Sequence, residues 1–81
     1  MTEAYITETI FKVLGQIAPE ADLSTLAPDV NVRQALDIDS FDHLNFLIAL
    51  DAALGVEIPE ADYGQLTTLA DIVRYLSVRL R

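Results

Sequence analysis

Residues 40–54 hold more apolar side chains than one helical stripe can take, and no other stretch limits the fold as tightly. Phe46, Leu47, Leu50 and Leu54 share one side of a helix, at the spacing that faces a core. Phe41, Leu44, Ile48 and Ala52 form a second set, rotated about the same axis. Both ends of the helix are marked. Asp39 suits the N-cap, where a carboxylate accepts from a free backbone N–H of the first turn. Gly55 suits the left-handed residue that closes a helix. Ser40 then becomes the first helical residue, with its hydroxyl near the surface. The first set predicts a face buried in a helical core. The second is expected to stay partly exposed beside Asp42, Asn45 and Asp51, as an apolar docking strip with a polar rim. A small bundle that buried both sets is the alternative.

The rest of the chain supplies the partners for that helix. Thr2 predicts an N-cap with Glu3 in the first turn, where the helix dipole favours a negative charge. Ile6, Ile10, Val13, Leu14 and Ile17 give one stripe, and Ala18-Pro19 ends it. Residues 18–39 form a long connection, punctuated by Leu23, Leu26, Val30, Val32, Leu36 and Ile38, which are expected to pin it across the bundle. Asn31 is read as the cap of a short turn through Leu36. A crossover of this length lets sequential helices lie near-parallel, which a short loop forbids.

After Gly55, the stretch Val56-Glu57-Ile58-Pro59 reads as an extended break. Glu60 to Gln65 suits one short helical turn, which Gly64 weakens by about 1 kcal/mol relative to alanine. Thr68-Leu69-Ala70-Asp71 resembles a capping box with Asp in place of Glu. Leu69, Ile72, Val73, Leu76 and Leu80 then line the inner face of a last helix, with Arg74, Arg79 and Arg81 outside. There is no strand alternation and no internal repeat. The expected fold is all-α: residues 1–81 as a single domain, a four-helix bundle with a long loop after the first helix and a short third helix.

Charge and composition narrow the function. The chain has 81 residues, no cysteine and a net charge of −8, so neither a disulfide framework nor a thiolate metal site is expected. Residues 34–73 contain no Lys or Arg but eight acids: Asp37, Asp39, Asp42, Asp51, Glu57, Glu60, Asp62 and Asp71. Such a field repels nucleic-acid phosphates and anionic lipid, and attracts basic protein surfaces. The longest apolar run, Phe46 to Leu50, is far short of the roughly 20 residues that span a bilayer. Thr2-Glu3 is unlike a signal peptide. The expectation is a cytoplasmic monomer without nucleic-acid or membrane partners.

Ser40 has three readings: a plain first-turn residue, a nucleophile, or an acceptor for a group attached by another enzyme. A nucleophile needs a base, an orienting group and an oxyanion site. His43, the single histidine, lies three residues on, but a surface helix on so small a domain offers no pocket to exclude water. Asp37 and Asp39 begin like a calcium loop, yet Phe41, Asp42 and Ile48 stand where that loop needs an oxygen ligand, a glycine and a glutamate. Neither catalysis nor a metal site is expected.

The stretch Asp39-Ser40-Phe41 resembles the Asp-Ser-Leu motif of acyl carrier proteins. The resemblance runs from about Ile6 to Leu80 and includes Val56-Glu57-Ile58-Pro59 and Leu66-Thr67-Thr68-Leu69. It implies a freestanding carrier. A phosphopantetheinyl transferase would attach 4′-phosphopantetheine to Ser40, and the thiol of that group would hold acyl thioesters for enzymes of fatty-acid, polyketide or related lipid biosynthesis. Acyl-loading and acyl-processing enzymes would then bring basic docking surfaces to Phe41, Asp42, Leu44, Asn45, Ile48, Asp51, Glu57, Glu60 and Asp62. An acyl pocket would be bounded by Leu50, Leu54, Ile58, Tyr63 and Leu66.

The chain departs from the family pattern in three ways. Phe41 replaces leucine, Asn45 and Ala52-Ala53 stand where fatty-acid carriers often have glutamates, and Tyr63 replaces a small residue that lines the acyl cavity. The Gly-Gly-x-Ser context of peptidyl carriers is absent. Two other readings share the fold: a carrier for an amino acid or a short or hydroxy acid, and an unmodified acidic adaptor.

Overall fold

Four α-helices carry the structure: α1 (Glu3–Ile17), α2 (Val32–Leu36), α3 (Ser40–Leu54) and α4 (Leu69–Arg79). A 3-10 turn at Leu23–Thr25 interrupts the long crossover, and a 3-10 helix at Glu60–Gln65 links α3 to α4. The computed structural model describes residues 2–80, Thr25 by its backbone alone. Arg81, expected on the outside of the last helix, lies beyond the described residues.

The helix ends follow the capping chemistry. Thr2 Oγ1 accepts from the Tyr5 N–H at 3.1 Å, and α1 stops at Ala18, whose N–H reaches the Leu14 carbonyl at 2.8 Å. Asn31 Oδ1 accepts from the Gln34 N–H at 3.2 Å, so the short turn read before Leu36 is a capped helix of five residues. Thr68 Oγ1 accepts from the Asp71 N–H at 3.1 Å. The Asp71 carboxylate does not simply reproduce the expected box: it takes a bond from the Thr67 hydroxyl at 3.3 Å. Gly55 closes α3 in the left-handed region, φ 65°.

Inside, α1 lies mainly against α3 and next against α4. Ile6, Ile10, Val13 and Leu14 of α1 meet Phe46, Leu47, Leu50 and Leu54 of α3 and Leu69, Ile72 and Leu76 of α4 in one core. Among the described residues no polar residue is buried. The crossover is pinned by Leu26 and Val32, which are buried, and by Leu23 and Leu36, which pack on the core's edge. Ile38, half-buried, is not part of that packing. Val30 departs further. It closes a turn with its N–H on the Ala27 carbonyl (3.3 Å), and this brings its side chain to the surface, 36% exposed.

Two backbone bonds staple the crossover to the segment before α4, from Val32 N–H to the Thr67 carbonyl (2.8 Å) and from Ala70 N–H to the Pro28 carbonyl (2.9 Å). The starts of α2 and α4 therefore lie side by side. The short third helix is 3-10 rather than α. Its ends are closed by three-residue bonds, Asp62 N–H to Pro59 (2.9 Å) and Leu66 N–H to Tyr63 (3.1 Å). Six residues containing a glycine, with no side-chain cap at Pro59, are too few and too weakly started to settle into the wider helix.

Candidate functional site

Three residues carry the chain from α2 into α3. Asp37 takes the left-handed conformation, φ 52° and ψ 45°, and the Ile38 N–H returns to the Arg33 carbonyl at 3.1 Å. Asp39 is then extended, and its Oδ1 accepts from the Asp42 N–H at 2.8 Å. Ser40 follows as the first residue of a helix of fifteen. It is exposed, and its hydroxyl takes part in none of the side-chain hydrogen bonds of the described residues. A free hydroxyl thus stands on a backbone fixed by a cap, at the helix end whose dipole favours a negatively charged substituent.

The two apolar sets of α3 separate as their spacing required. Phe46, Leu47, Leu50 and Leu54 are buried, while Phe41 is 67%, Ile48 52% and Leu44 38% exposed. Ala52 is also exposed, and Asp42, Asn45 and Asp51 flank the strip half-buried. Asp51 has a second task, because its Oδ2 accepts from the Ile58 N–H at 3.2 Å and so fastens the chain leaving α3. Glu57 and Glu60 are exposed.

Asp62 does not join this rim as an open acid. Its Oδ2 accepts from the Tyr75 hydroxyl at 2.6 Å and from an Arg79 guanidinium nitrogen at 3.0 Å, so its charge is answered within the molecule. Tyr75 and Arg79 lie four apart on α4, which puts both groups on one face of that helix.

His43 is engaged away from Ser40. Its Nε2 lies 3.1 Å from the Leu66 carbonyl, an acceptor, so that nitrogen carries the proton and donates. Its ring tilts toward Phe46 at 6.2 Å. Burial holds the imidazole below its ordinary pKa, against the pull of the Leu66 carbonyl, and the Arg33 cation adds to the lowering.

The residues read as an acyl pocket belong to the core or pack against it. Leu50, Leu54, Ile58 and Leu66 are core residues at 5% exposure or less, and Tyr63 packs half-buried against that core. Among the described residues no group of three His, Cys, Asp or Glu side chains is placed to hold a metal ion. Among the described residues no helix is long and apolar enough to cross a membrane.

Comparison with known proteins agrees with this geometry. The model of the family described as a phosphopantetheine attachment site matches residues 4–76. An acyl carrier protein of Syntrophobacter fumaroxidans is 38% identical over 68 residues, covering 82% of this chain and 84% of that one. One from Rubrobacter xylanophilus is 33% identical over 72 residues, covering 85% and 89%. The solved structure of an acyl carrier protein from Enterococcus faecalis superposes with a TM-score of 0.80 over 98% of this chain and 99% of that one. At 20% identity that likeness establishes the fold alone. With the family model matched from before the core of α1 to the last buried turn of α4, the chain belongs to the phosphopantetheine-binding acyl carrier protein family.

Proposed function

We propose that this chain carries acyl groups, that the Ser40 Oγ is the atom bearing 4′-phosphopantetheine, and that the exposed strip of α3 is where partner enzymes dock. The observation that carries the reading is the exposed, unbonded Ser40 hydroxyl on a capped helix end. The group, when bound, supplies a thiol on which acyl cargo rides as a thioester. The protein's own residues do the rest. Asp39 fixes the backbone on either side of Ser40, and the α3 N-terminus favours the negative charge of a phosphodiester there. His43 gives its N–H to Leu66, and among the described residues no base is hydrogen-bonded to the Ser40 hydroxyl, so that proton falls to a phosphopantetheinyl transferase. The chain is a carrier and not a catalyst.

Phe41, Leu44 and Ile48 offer apolar contact, and Asp42, Asn45, Asp51, Glu57 and Glu60 surround them with polar and acidic groups. Loading and processing enzymes with basic docking surfaces fit that face, in the cytoplasm. Acyl cargo is favoured over amino-acid cargo because the curated relatives are acyl carrier proteins. Incubation with coenzyme A and a broad-specificity transferase should add the mass of one phosphopantetheinyl group, and Ser40→Ala should add none. A wild-type chain left unmodified by several transferases would favour the acidic adaptor instead.

A further inference from the structure

The 3-10 helix Glu60–Gln65 is poorly secured by the usual means. None of its residues is buried, Pro59 gives it no side-chain cap, and Gly64 sits within it. Tyr63 leans on the core only half-buried. At its C-terminal end a cleft of about 690 Å³ stands between Gly64 and Gln65 on one side and Tyr75 and Arg79 of α4 on the other. Packing does not close that gap. Asp62 spans to α4 through a single carboxylate oxygen, which takes the Tyr75 hydroxyl at 2.6 Å and the Arg79 guanidinium at 3.0 Å. The guanidinium itself lies 4.4 Å from the centre of the Tyr75 ring, so each of the three groups touches the other two.

The Asp62 side chain is 23% exposed, which leaves these charge-assisted bonds less screened than those of a surface pair. Burial, and then the carboxylate it donates to, hold the Tyr75 hydroxyl above its ordinary pKa, so it remains a donor. On either side of the segment, Ile58 and Leu66 are buried. Lifting the segment would therefore uncover apolar core.

We infer that the Asp62–Tyr75–Arg79 cluster is a latch that holds the 3-10 helix shut and thereby determines which acyl cargo the core admits, the cargo part resting on the carrier reading above. While the latch is closed, an aliphatic chain stays outside. Short or polar cargo is then carried as well as long, and long cargo gains no shelter. Loosening the latch lets methylenes enter beside Ile58, Tyr63 and Leu66, where their removal from water is favourable.

Hydrogen exchange on the unmodified chain tests the latch without any cargo. The Asp62 and Leu66 amides donate the bonds that close the segment. Tyr75→Phe and Arg79→Gln should each speed their exchange about tenfold, while the Ile10 and Leu50 amides exchange as before. Unchanged exchange at Asp62 and Leu66, or an equal rise at all four amides, would overturn the latch. The cargo part is read from the melting temperature of chains loaded with saturated acyl groups of about two to twelve carbons. It should stay nearly level in the wild type and climb with chain length in Tyr75→Phe. A climb in the wild type, or a level series in a variant whose segment exchanges faster, would overturn it. A chain that never gains the prosthetic mass would overturn the carrier reading, and the cargo part with it, while the exchange result for the latch stands.

Discussion

His43 shows how one side chain ties the site to the rest of the molecule. Its imidazole, three residues after Ser40, donates to the Leu66 carbonyl just before α4, so the head of α3 is anchored to the segment that leads into the last helix. Its pKa in the folded chain is lowered from the ordinary 6.5, chiefly by burial. The unfolded chain therefore binds more protons between that lowered value and 6.5, and stability rises with pH across the interval. Acidification from neutral pH should lower the denaturation midpoint through this window. His43→Gln, which keeps an N–H donor but does not titrate, should remove that slope. Denaturant melts at pH values from about 5 to 7.5 would check it. The depressed Asp71 carboxyl, held by Thr68 and then by Thr67 and Arg74, starts from 3.8 and acts at lower pH, so its effect separates from that of the histidine.

Among the elements, α3 and its surroundings bring out the difference between Asp37 and Gly55, both held at positive φ. Gly55 is left-handed with no neighbour within 4 Å of where a Cβ would stand, so Gly55→Ala is penalised by backbone strain alone, roughly 1 kcal/mol. Asp37, at φ 52°, already bears that strain, and Asp37→Gly should relieve it and stabilise by a few tenths to about 1 kcal/mol. Equilibrium unfolding of the two variants should move their midpoints in opposite directions.

Gly55 was legible in the sequence because glycine announces the conformation. Asp37 was not, since an aspartate among aspartates reads as charge before it reads as a turn. The same contrast runs through the fold. Both stripes of α3, the caps Thr2, Asn31, Asp39 and Thr68, and Ser40 at the helix start follow from spacing and side-chain chemistry local to each. Non-local pairings were not legible. The bond from His43 to Leu66 spans 23 residues and that from Asp62 to Tyr75 spans 13, and no periodicity encodes either. Asp62 was therefore placed among the docking residues with no sign of its bonds to α4, and Val30 was read as a pin for the crossover. Only the path of the folded backbone shows where each one goes.

Across the whole molecule, among the described residues, two cations of α4 are answered by acids. Arg74 and Arg79 of α4 pair with Asp71 and Asp62, at 3.1 and 3.0 Å, which leaves the head of α3 and the acids of residues 57 and 60 to face outward. That face should draw a basic transferase from a distance, an attraction screened over about 10 Å at 0.1 M salt. Asp42→Lys should slow transferase association severalfold at low salt and flatten its salt dependence, with a melting temperature within a few degrees of the wild type. Ile48→Ala should instead weaken docking at every salt concentration. Asp51→Lys is the poorer probe, because that carboxylate also holds the Ile58 N–H and the loop after α3 would feel its loss. Association rates that ignore both Asp42→Lys and Ile48→Ala would move the docking surface away from α3.

Most direct of all is to find where the prosthetic group sits. The chain has three serines: Ser24, bonded to Asp22 beside the crossover turn; Ser77, its hydroxyl buried in α4; and Ser40 at the exposed head of α3. Fragment-ion mapping of the chain after reaction with coenzyme A and a transferase should place one phosphopantetheinyl group on the peptide containing Asp39-Ser40-Phe41, and on its serine. The same group on Ser24, on Ser77 or on no residue would contradict the assignment of Ser40 as the carrier residue.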